Sequence, residues 1–165
     1  MAILIHDLLH RETITLRPEI FATDIDPTIL RRAKEAVYSF ESLASVKFRF
    51  INRYFQCEHQ EYRLKPDITG LVHFSMYDLL DHRSYAPPES IYGHFDLLLC
   101  RNVLMYFDIA HQDRIFQKLY RALAPQGYLV LGEVEIPSMH YQSCLQRVNA
   151  CCHIYQKFGY GSMSS

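Results

Sequence analysis

The sequence predicts an α/β fold built on a sheet with parallel strands. Three short apolar segments have the composition of buried strands, and helical patterns lie between them: Glu19–Thr23, Phe95–Cys100 and Tyr128–Gly132. Strands that alternate with helices pair in parallel, because each helix carries the chain back across the sheet. With 165 residues, of which 49% are apolar, the chain is long enough for one domain with a core and too short for two.

The first third of the chain alternates helix, strand and helix. Residues 1–10 place apolar side chains near helical spacing, which predicts the end of an amphipathic helix. The strand Glu19–Thr23 ends at Asp24. Asp26 and Pro27 then predict a helix start, because Asp is a good N-cap and Pro fits the first helical position.

Residues 45–75 differ from their surroundings and are predicted to form an inserted β-subdomain. Basic side chains outnumber acidic ones there, and the pattern indicates a small helix followed by short antiparallel strands, around Tyr54-Phe55, Tyr62-Arg-Leu-Lys65 and Leu71-Val-His-Phe74. A solvated face is the more ordinary interpretation of these charges, and a docking surface is the alternative. Residues 82–93 are predicted to form a surface loop.

The second half of the chain contributes a central strand, a helix and a further strand. Phe95–Cys100 is apolar almost throughout, as a strand buried on two faces should be. Asp108 is predicted to cap a helix that ends at Pro125-Gln-Gly127, before the strand Tyr128–Gly132. Residues 145–150 and 151–157 are predicted to form a terminal hairpin.

Composition excludes several classes of function. The net charge of −1 gives no electrostatic footprint for nucleic acid. No apolar run reaches the roughly 18–20 residues that a membrane span needs, and the N-terminus does not resemble a signal peptide, so we expect a cytoplasmic protein. The five cysteines are odd in number and form no Cys-x-x-Cys pair, so neither a metal site nor a disulfide framework is predicted.

Polar side chains follow three of the predicted strands, and ligands of open α/β sheets bind at the carboxyl ends of strands. Asp24 could accept both hydroxyls of a ribose, although a helix-capping Asp would look the same. Asp78 could accept an adenine amine, or it could be a turn residue. Arg101 and Asn102 directly follow an apolar strand, where an unpartnered Arg is costly to bury. Either Arg101 serves a ligand site or it bonds to backbone carbonyls.

In order and spacing, these segments resemble the CheR-type chemotaxis-receptor (protein-glutamate O-) methyltransferases. The matching segments are Phe21-Ala-Thr-Asp-Ile-Asp-Pro27, Asp78-Leu79, Phe95-Asp-Leu-Leu-Leu-Cys-Arg-Asn-Val-Leu-Met-Tyr-Phe107 and Leu123-Ala-Pro-Gln-Gly-Tyr-Leu-Val-Leu-Gly132. Arg53-Tyr-Phe55, followed by residues 62–65, is similar to the small β-subdomain of that family. The resemblance implies a Rossmann-like class I methyltransferase sheet that lacks its first strand and glycine loop, with a small inserted β-subdomain.

The resemblance also implies a cofactor, a reaction and roles for individual residues. S-adenosyl-L-methionine would donate a methyl group to a glutamate carboxylate of a receptor or signalling protein, leaving S-adenosyl-L-homocysteine, and no metal would take part. The implied cofactor-binding residues are Asp24 for the ribose, Asp78 and Leu79 for the adenine, and Arg101 and Asn102 beside the reacting centre. Arg101 and Tyr106 are the candidate catalytic residues.

The sequence departs from the family pattern at its N-terminus. The first glycine is Gly70, so no glycine-rich cofactor loop precedes the strand Glu19–Thr23. We therefore expect impaired cofactor binding and methyl transfer by residues 1–165. The alternative function is that of a non-catalytic methyltransferase-like module for protein binding.

The absent first strand would lie between the strands at residues 19–23 and 95–100. We expect these two strands either to pair directly or to accept a strand exchanged with a second copy, forming a homodimer. We also expect Asp24, Asp78 and Arg101 to face one cleft.

Overall fold

A computed structural model describes residues 1–90 and 93–158 of the chain, which contain five α-helices and nine β-strands. The chain divides into two compact units, and the boundary follows Asp78. The predicted surface loop at residues 82–93 contains neither helix nor strand where it is described, and Ile91 and Tyr92 lie outside the described residues.

The first unit holds four helices and five strands in two sheets. In chain order they are α1 (Ala2–Arg11), β1 (Ile20–Asp24), α2 (Pro27–Glu35), β2 (Val37–Ser39), α3 (Phe48–Tyr54), β3 (Phe55–Glu58), β4 (Glu61–Leu64), α4 (Pro66–Thr69) and β5 (Val72–Met76). β1 and β5 pair in parallel, and β2, β4 and β3 form a small antiparallel sheet in that order. The segment Leu71–Phe74, predicted to be an antiparallel strand of the inserted subdomain, instead contributes to β5 beside β1.

A buried polar cluster joins α1 to α3 in the first unit. Asp7 is buried, and its carboxylate accepts hydrogen bonds from the Tyr54 hydroxyl at 3.1 Å and from the Arg53 guanidinium at 3.3 Å. The apolar side chains around this cluster form one core, made of Leu43, Phe50, Tyr54, Phe55 and Ile68. A carboxylate can be buried here because both a charged and a neutral donor compensate for its lost hydration.

The second unit holds the other sheet and the longest helix of the described residues. Its elements are β6 (Phe95–Cys100), a short 3₁₀ turn (Leu104–Tyr106), α5 (Ile109–Ala122), β7 (Leu123–Leu131), β8 (Leu145–Arg147) and β9 (Ile154–Lys157). The sheet order is β6-β7-β9-β8; β6 and β7 are parallel, and the predicted terminal hairpin β8–β9 is antiparallel. Ile115, Phe116 and Leu119 of α5 pack on Leu129 and Leu131 of β7.

Two helix starts follow the capping residues that the sequence predicts. Asp26 accepts the Thr28 N–H at 2.7 Å at the start of α2, and Asp108 accepts the His111 N–H at 2.9 Å at the start of α5. These contacts span two or three residues, so local sequence suffices to predict them. The helix α1 in the first residues is also confirmed.

The end of α5 differs from the prediction. The helix ends at Ala122, and Leu123 already begins β7, so Pro125-Gln-Gly127 lies within the strand. Proline disfavours helical backbone in the residue before it, which ends the helix early. The register of β6 against β7 shifts between Phe95 and Leu97. At this irregularity a Cβ on Gly127 would lie 2.9 Å from the Ala124 carbonyl oxygen, so only glycine fits without displacement.

Two predictions about the strands β1 and β6 are wrong. Among the described residues β1 has one strand neighbour, β5, and β6 has one, β7, so the two do not pair directly. β6 is also not buried on both faces, because Leu97 and Leu99 are 39% and 42% exposed. In the part of the chain that the structure describes, no helix combines the length and apolar character needed to cross a membrane.

A buried lysine closes the carboxyl end of α5. Lys157 of β9 is 6% exposed, and its ammonium donates to the Tyr120 and Leu123 carbonyl oxygens, both at 2.7 Å. The same ammonium lies 4.2 Å from the centroid of the Tyr120 ring. Burial lowers the pKa of Lys157. The two contacts give the ammonium backbone acceptors beside the end of the helix, and the positive charge suits that end of the helix dipole.

We predict that Lys157→Met lowers the free energy of unfolding by about 1–3 kcal/mol, because two carbonyl oxygens lose their donor while the side chain keeps its length. Urea denaturation followed by circular dichroism measures the change. Lys34→Met, at an exposed position of α2, is the control and should stay within about 0.5 kcal/mol of the wild type. Equal losses in both variants would contradict the role of Lys157.

Candidate active site

Two of the predicted site residues lie at one edge of the parallel pair β1–β5. The Asp24 carbonyl accepts a hydrogen bond from the Tyr77 N–H at 3.1 Å, and Asp78 follows Tyr77 directly. Because the strands are parallel, their carboxyl ends meet at this edge, which is where open α/β sheets bind ligands. The structure therefore brings Asp24 and Asp78 to the same side of the first unit.

Asp24 is not the capping residue of α2, since that position belongs to Asp26. One carboxylate oxygen of Asp24 accepts the Asp26 N–H at 2.9 Å. The side chain is half-buried, and its second oxygen has no hydrogen-bond partner among the described residues. Asp24 thus keeps one oriented acceptor for a ligand hydroxyl.

Asp78 is exposed and stands directly before the turn Leu79–Leu80. Further along, Asp81 accepts the Arg83 N–H and binds the Arg83 guanidinium, each at 2.9 Å. Hydrogen bonds from the Arg83 side chain lower the pKa of Asp81 to about 2. Leu79 is half-buried and packs against the core of the second unit.

The other predicted site residues belong to the β6 loop, residues 101–107, which leaves the carboxyl end of β6. Asn102 has left-handed backbone, with φ of 57°. The Glu135 carboxylate holds this turn by accepting four backbone N–H groups. Oε2 accepts from Asn102 at 3.0 Å and from Gly132 at 2.7 Å, and Oε1 accepts from Val103 at 2.9 Å and from Leu104 at 2.8 Å.

Gly132 makes this close approach possible. A Cβ at this position would lie 2.5 Å from Asn102 Oδ1, 2.6 Å from Glu135 Oε2 and 2.9 Å from the Asn102 nitrogen. Real Cβ atoms do not tolerate such distances, so any larger residue would displace the loop or the carboxylate. The glycine that ends the predicted strand 128–132 therefore has a steric role beside the β6 loop.

Gln112 of α5 holds the far end of the β6 loop. Its side-chain amide donates to the Leu104 carbonyl at 3.0 Å and to the Phe107 carbonyl at 2.9 Å. The loop is thus fixed from two directions, by an acceptor for its N–H groups and by a donor for its carbonyls. The exposed Tyr106 lies in sequence between Leu104 and Phe107, the two residues whose carbonyls Gln112 contacts.

The side chains that the β6 loop presents are open to solvent. Arg101 and Asn102 are exposed, and Tyr106 is 79% exposed. Arg101 makes no hydrogen bond to any described residue, so the hypothesis that it reaches backbone carbonyls is wrong. The structure gathers Arg101, Asn102 and Tyr106 on one loop of the second unit. That Asp24 and Arg101 face one cleft stays a prediction.

Two ionisable groups at the base of the loop have shifted pKa values. Burial opposes ionisation of Glu135, yet the backbone N–H donors outweigh it and hold the pKa of this carboxyl below its ordinary value. Burial and the nearby charge of Glu135 raise the pKa of the Cys100 thiol to about 12. Glu135 is therefore charged at neutral pH, while Cys100 stays protonated and is no nucleophile.

Sequence analysis missed Glu135 and Gln112. Both Glu133 and Glu135 follow the strand β7 in the segment Gly132-Glu-Val-Glu-Ile136, and nothing local separates the exposed Glu133 from the buried Glu135. The contacts of Glu135 to the β6 loop span 31 to 33 residues. Only the loop's need for N–H acceptors could have indicated that an acidic partner exists.

Comparison of the whole sequence with known proteins gives the family. The sequence model described as CheR methyltransferase, SAM binding domain, matches residues 1–150. The chain belongs to the CheR methyltransferase family. This assignment confirms the Rossmann-like α/β class predicted from the sequence and indicates S-adenosylmethionine as the cofactor.

Several relatives carry names of methyltransferases. The chemotaxis protein methyltransferase of Salmonella typhimurium is 32% identical over 123 residues, covering 72% of this chain and 41% of the relative. The chemotaxis protein methyltransferase Cher2 of Pseudomonas putida is 35% identical over 130 residues, 75% and 45% of the two chains. WspC of the same species, named a probable biofilm formation methyltransferase, is 34% identical over 112 residues, 68% and 26%. This CheR-family chain spans less than half the length of each relative.

The described residues of this CheR-family chain fit the chemistry of the cofactor. The unpartnered oxygen of Asp24 at a strand end suits a ribose hydroxyl donor. Arg101 and Asn102 offer exposed polar groups on a loop that hydrogen bonds hold in place. Asp24's second oxygen and the Arg101 guanidinium have no hydrogen-bond partner among the described residues, so both are available to a ligand.

We predict that the stabilisation by Glu135 disappears in acid. Its folded pKa lies below the ordinary 4.5, so the carboxylate stabilises the fold fully above that pH and progressively less as pH falls through the folded pKa. At neutral pH the free energy of unfolding of Glu135→Gln should therefore be about 2–4 kcal/mol lower than that of the wild type. That difference should narrow below pH 4.5 in urea titrations. Glu133→Gln is the matched control, and a pH-independent difference for Glu135→Gln would contradict the prediction.

Proposed function

We propose that this chain is the part of a CheR-family enzyme that binds S-adenosylmethionine and directs its methyl group to glutamate carboxylates of chemotaxis-type receptor proteins. The observation that carries the proposal is the β6 loop, a hydrogen-bonded turn that leaves Arg101, Asn102 and Tyr106 exposed at the carboxyl end of a strand. We expect the reaction to take place in the cytoplasm.

In the first unit, the proposed ligand contacts lie at the end of the parallel pair. The unpartnered oxygen of Asp24 would accept a ribose hydroxyl, because an ionised carboxylate is a strong acceptor for such a donor. Asp78, two residues beyond the end of the neighbouring strand β5, would accept the adenine amine. Leu79, the first residue of the second unit, is the residue proposed to line the adenine with its apolar side chain.

In the second unit, the proposed contacts come from the β6 loop. Arg101 and Asn102 would lie beside the cofactor and the reacting centre, where the guanidinium can bind a carboxylate of cofactor or substrate. Tyr106 would approach the site of methyl transfer from the same loop. Arg101 and Tyr106 are thus the proposed catalytic residues.

The proposed methyl transfer needs no general acid or general base. S-adenosylmethionine supplies a methyl group that its sulfonium charge makes electrophilic. A glutamate side chain is already ionised at neutral pH and needs no general base. The protein has to align the carboxylate with the methyl carbon and exclude water. A loop fixed by hydrogen bonds at both ends is suited to that alignment.

Affinity for the cofactor is expected to be weak in a polypeptide of these 165 residues. Glycine loops allow the backbone to approach a bound nucleotide closely, and this chain has no glycine before Gly70. We therefore propose that methyl transfer by residues 1–165 alone is impaired.

A second proposed function is that of a non-catalytic module for protein binding. The observation in its favour lies in the small sheet β2-β4-β3. Its strands β3 and β4 fall within the inserted β-subdomain that we propose at residues 45–75, and β2 precedes that range. Phe40, directly after β2, and Phe48, at the start of α3, are 62% and 74% exposed. Arg49 of α3 and Arg63 of β4 are exposed basic side chains of the same unit. Exposed aromatic and Arg side chains are common at protein interfaces.

We predict that Asp24→Asn lowers the affinity for S-adenosylhomocysteine about tenfold, roughly 1.4 kcal/mol. The variant keeps the oxygen that accepts the Asp26 N–H but replaces the other acceptor by an amide nitrogen. Titration into the millimolar range, followed by amide chemical shifts, measures even weak affinity. The control is Asp67→Asn, an exposed carboxylate in the first turn of α4.

The same titration separates the two functions. Binding by the wild type that Asp24→Asn weakens and Asp67→Asn does not would support the cofactor site. A wild-type chain that binds receptor peptides but no S-adenosylhomocysteine, and that transfers no radiolabelled methyl group, would favour the protein-binding module.

We propose that two copies of the chain associate by strand exchange at β6. This strand has one neighbour, β7, among the described residues, and its face exposes Leu97 and Leu99. Light scattering across a concentration series should give a molar mass that rises towards that of a dimer. The Leu99→Lys variant should keep the molar mass of a monomer. Leu16→Lys, at a 64% exposed position outside any strand, is the control. A monomeric mass throughout would contradict the proposal.

A further inference from the structure

The β6 loop is held by two side chains to which the proposed chemistry gives no role. Glu135 accepts four backbone N–H groups, three of them from consecutive loop residues Asn102, Val103 and Leu104. Gln112 donates to the carbonyls of Leu104 and Phe107. The loop that carries the exposed polar side chains is thus fixed at both ends.

The backbone conformation of the loop needs such support. Asn102 adopts a φ of 57°, which is unfavourable for residues other than glycine, although Asn tolerates it better than most. Successive N–H groups of a turn point to one side and together favour an anion. The Glu135 carboxylate is that anion, so the left-handed turn and the buried charge stabilise each other.

Glu135 itself is unsuited to direct chemistry. It is 5% exposed, and both of its oxygens already accept two N–H groups each. It can neither take a proton readily nor reach a substrate without giving up these bonds. Its effect on a ligand must therefore pass through the loop backbone.

We propose that Glu135 and Gln112 are positioning residues that hold the β6 loop in the conformation which presents Arg101, Asn102 and Tyr106 to the cofactor and substrate. This inference rests on the proposed function for the ligand and on the hydrogen-bond geometry for the loop. The two side chains act together, since one satisfies N–H groups and the other satisfies carbonyls of the same seven residues. Removing either should loosen the loop without removing a ligand contact.

The test compares two variants with two matched controls in the full chain. Glu135→Gln keeps the size of the side chain but offers one oxygen in place of two, and Glu133→Gln makes the same change at an exposed site two residues away. Gln112→Leu removes the donor, and Gln117→Leu makes that change at an exposed position of the same helix. Glu135→Asp, which retains the charge on a shorter chain, serves as the conservative variant.

Two quantities are measured by nuclear magnetic resonance. Without ligand, the conformation and local opening of the loop are followed by chemical shifts and hydrogen exchange. The amides observed are those of Asn102, Val103, Leu104 and Gly132. Titration with S-adenosylhomocysteine to millimolar concentration then gives the dissociation constant. We expect at least about tenfold faster exchange of these amides in Glu135→Gln and a dissociation constant raised at least about fivefold. Gln112→Leu should act in the same direction, and Glu135→Asp should recover part of both losses.

The outcomes separate this inference from the proposed function. Unchanged amide exchange in a folded Glu135→Gln variant would overturn it, as would faster exchange with an unchanged dissociation constant. If Glu135→Gln does not fold, the same two measurements on Gln112→Leu and its control Gln117→Leu test the positioning role. A wild-type chain that binds no S-adenosylhomocysteine would overturn the proposed function, and the positioning role with it, even where the exchange data show that Glu135 holds the loop.

Discussion

The candidate site depends on one buried carboxylate. At the end of β6 the chain leaves its sheet, and the N–H groups of Asn102, Val103 and Leu104 lose the strand partners that the residues before them have. Buried backbone donors without acceptors cost about 1–3 kcal/mol each, so a turn at this place needs an acceptor with several lone pairs. Glu135 supplies it and also accepts the N–H of Gly132. Its charge makes each bond stronger than a neutral one.

Buried lysines of the second unit follow the same rule with the opposite charge. Lys157 donates to the Tyr120 and Leu123 carbonyls at the end of α5, and the buried Lys118 donates to the Asp81 carbonyl. The Glu135 anion therefore accepts backbone N–H groups, and the two lysine cations donate to backbone carbonyls. Backbone groups thus offset part of the cost of burying each of these charges.

The sequence predicts those features that depend on near neighbours. The starts of α2 and α5 follow from Asp26 and Asp108, whose contacts reach two or three residues. It does not predict which strand lies beside β1, because β5 comes about fifty residues later and its pattern also fits an antiparallel hairpin. For the same reason Glu135 cannot be told from Glu133. Local patterns fix helix ends and strand positions, while partners distant in sequence are set by packing.

When the nucleophile is already ionised, the reaction rate depends on a different set of residues from those of a reaction that needs a general base. Where a general base is needed, the important side chains touch the substrate and can be found by their chemistry. A glutamate carboxylate needs none, so the rate depends on how accurately the reacting groups are aligned. In the proposed reaction, alignment would depend on the backbone that carries Arg101 and Tyr106, and the Glu135 and Gln112 side chains hold this backbone. In such an enzyme a buried residue like Glu135, invisible to a search for catalytic motifs, can matter as much as the exposed residues that meet the ligand.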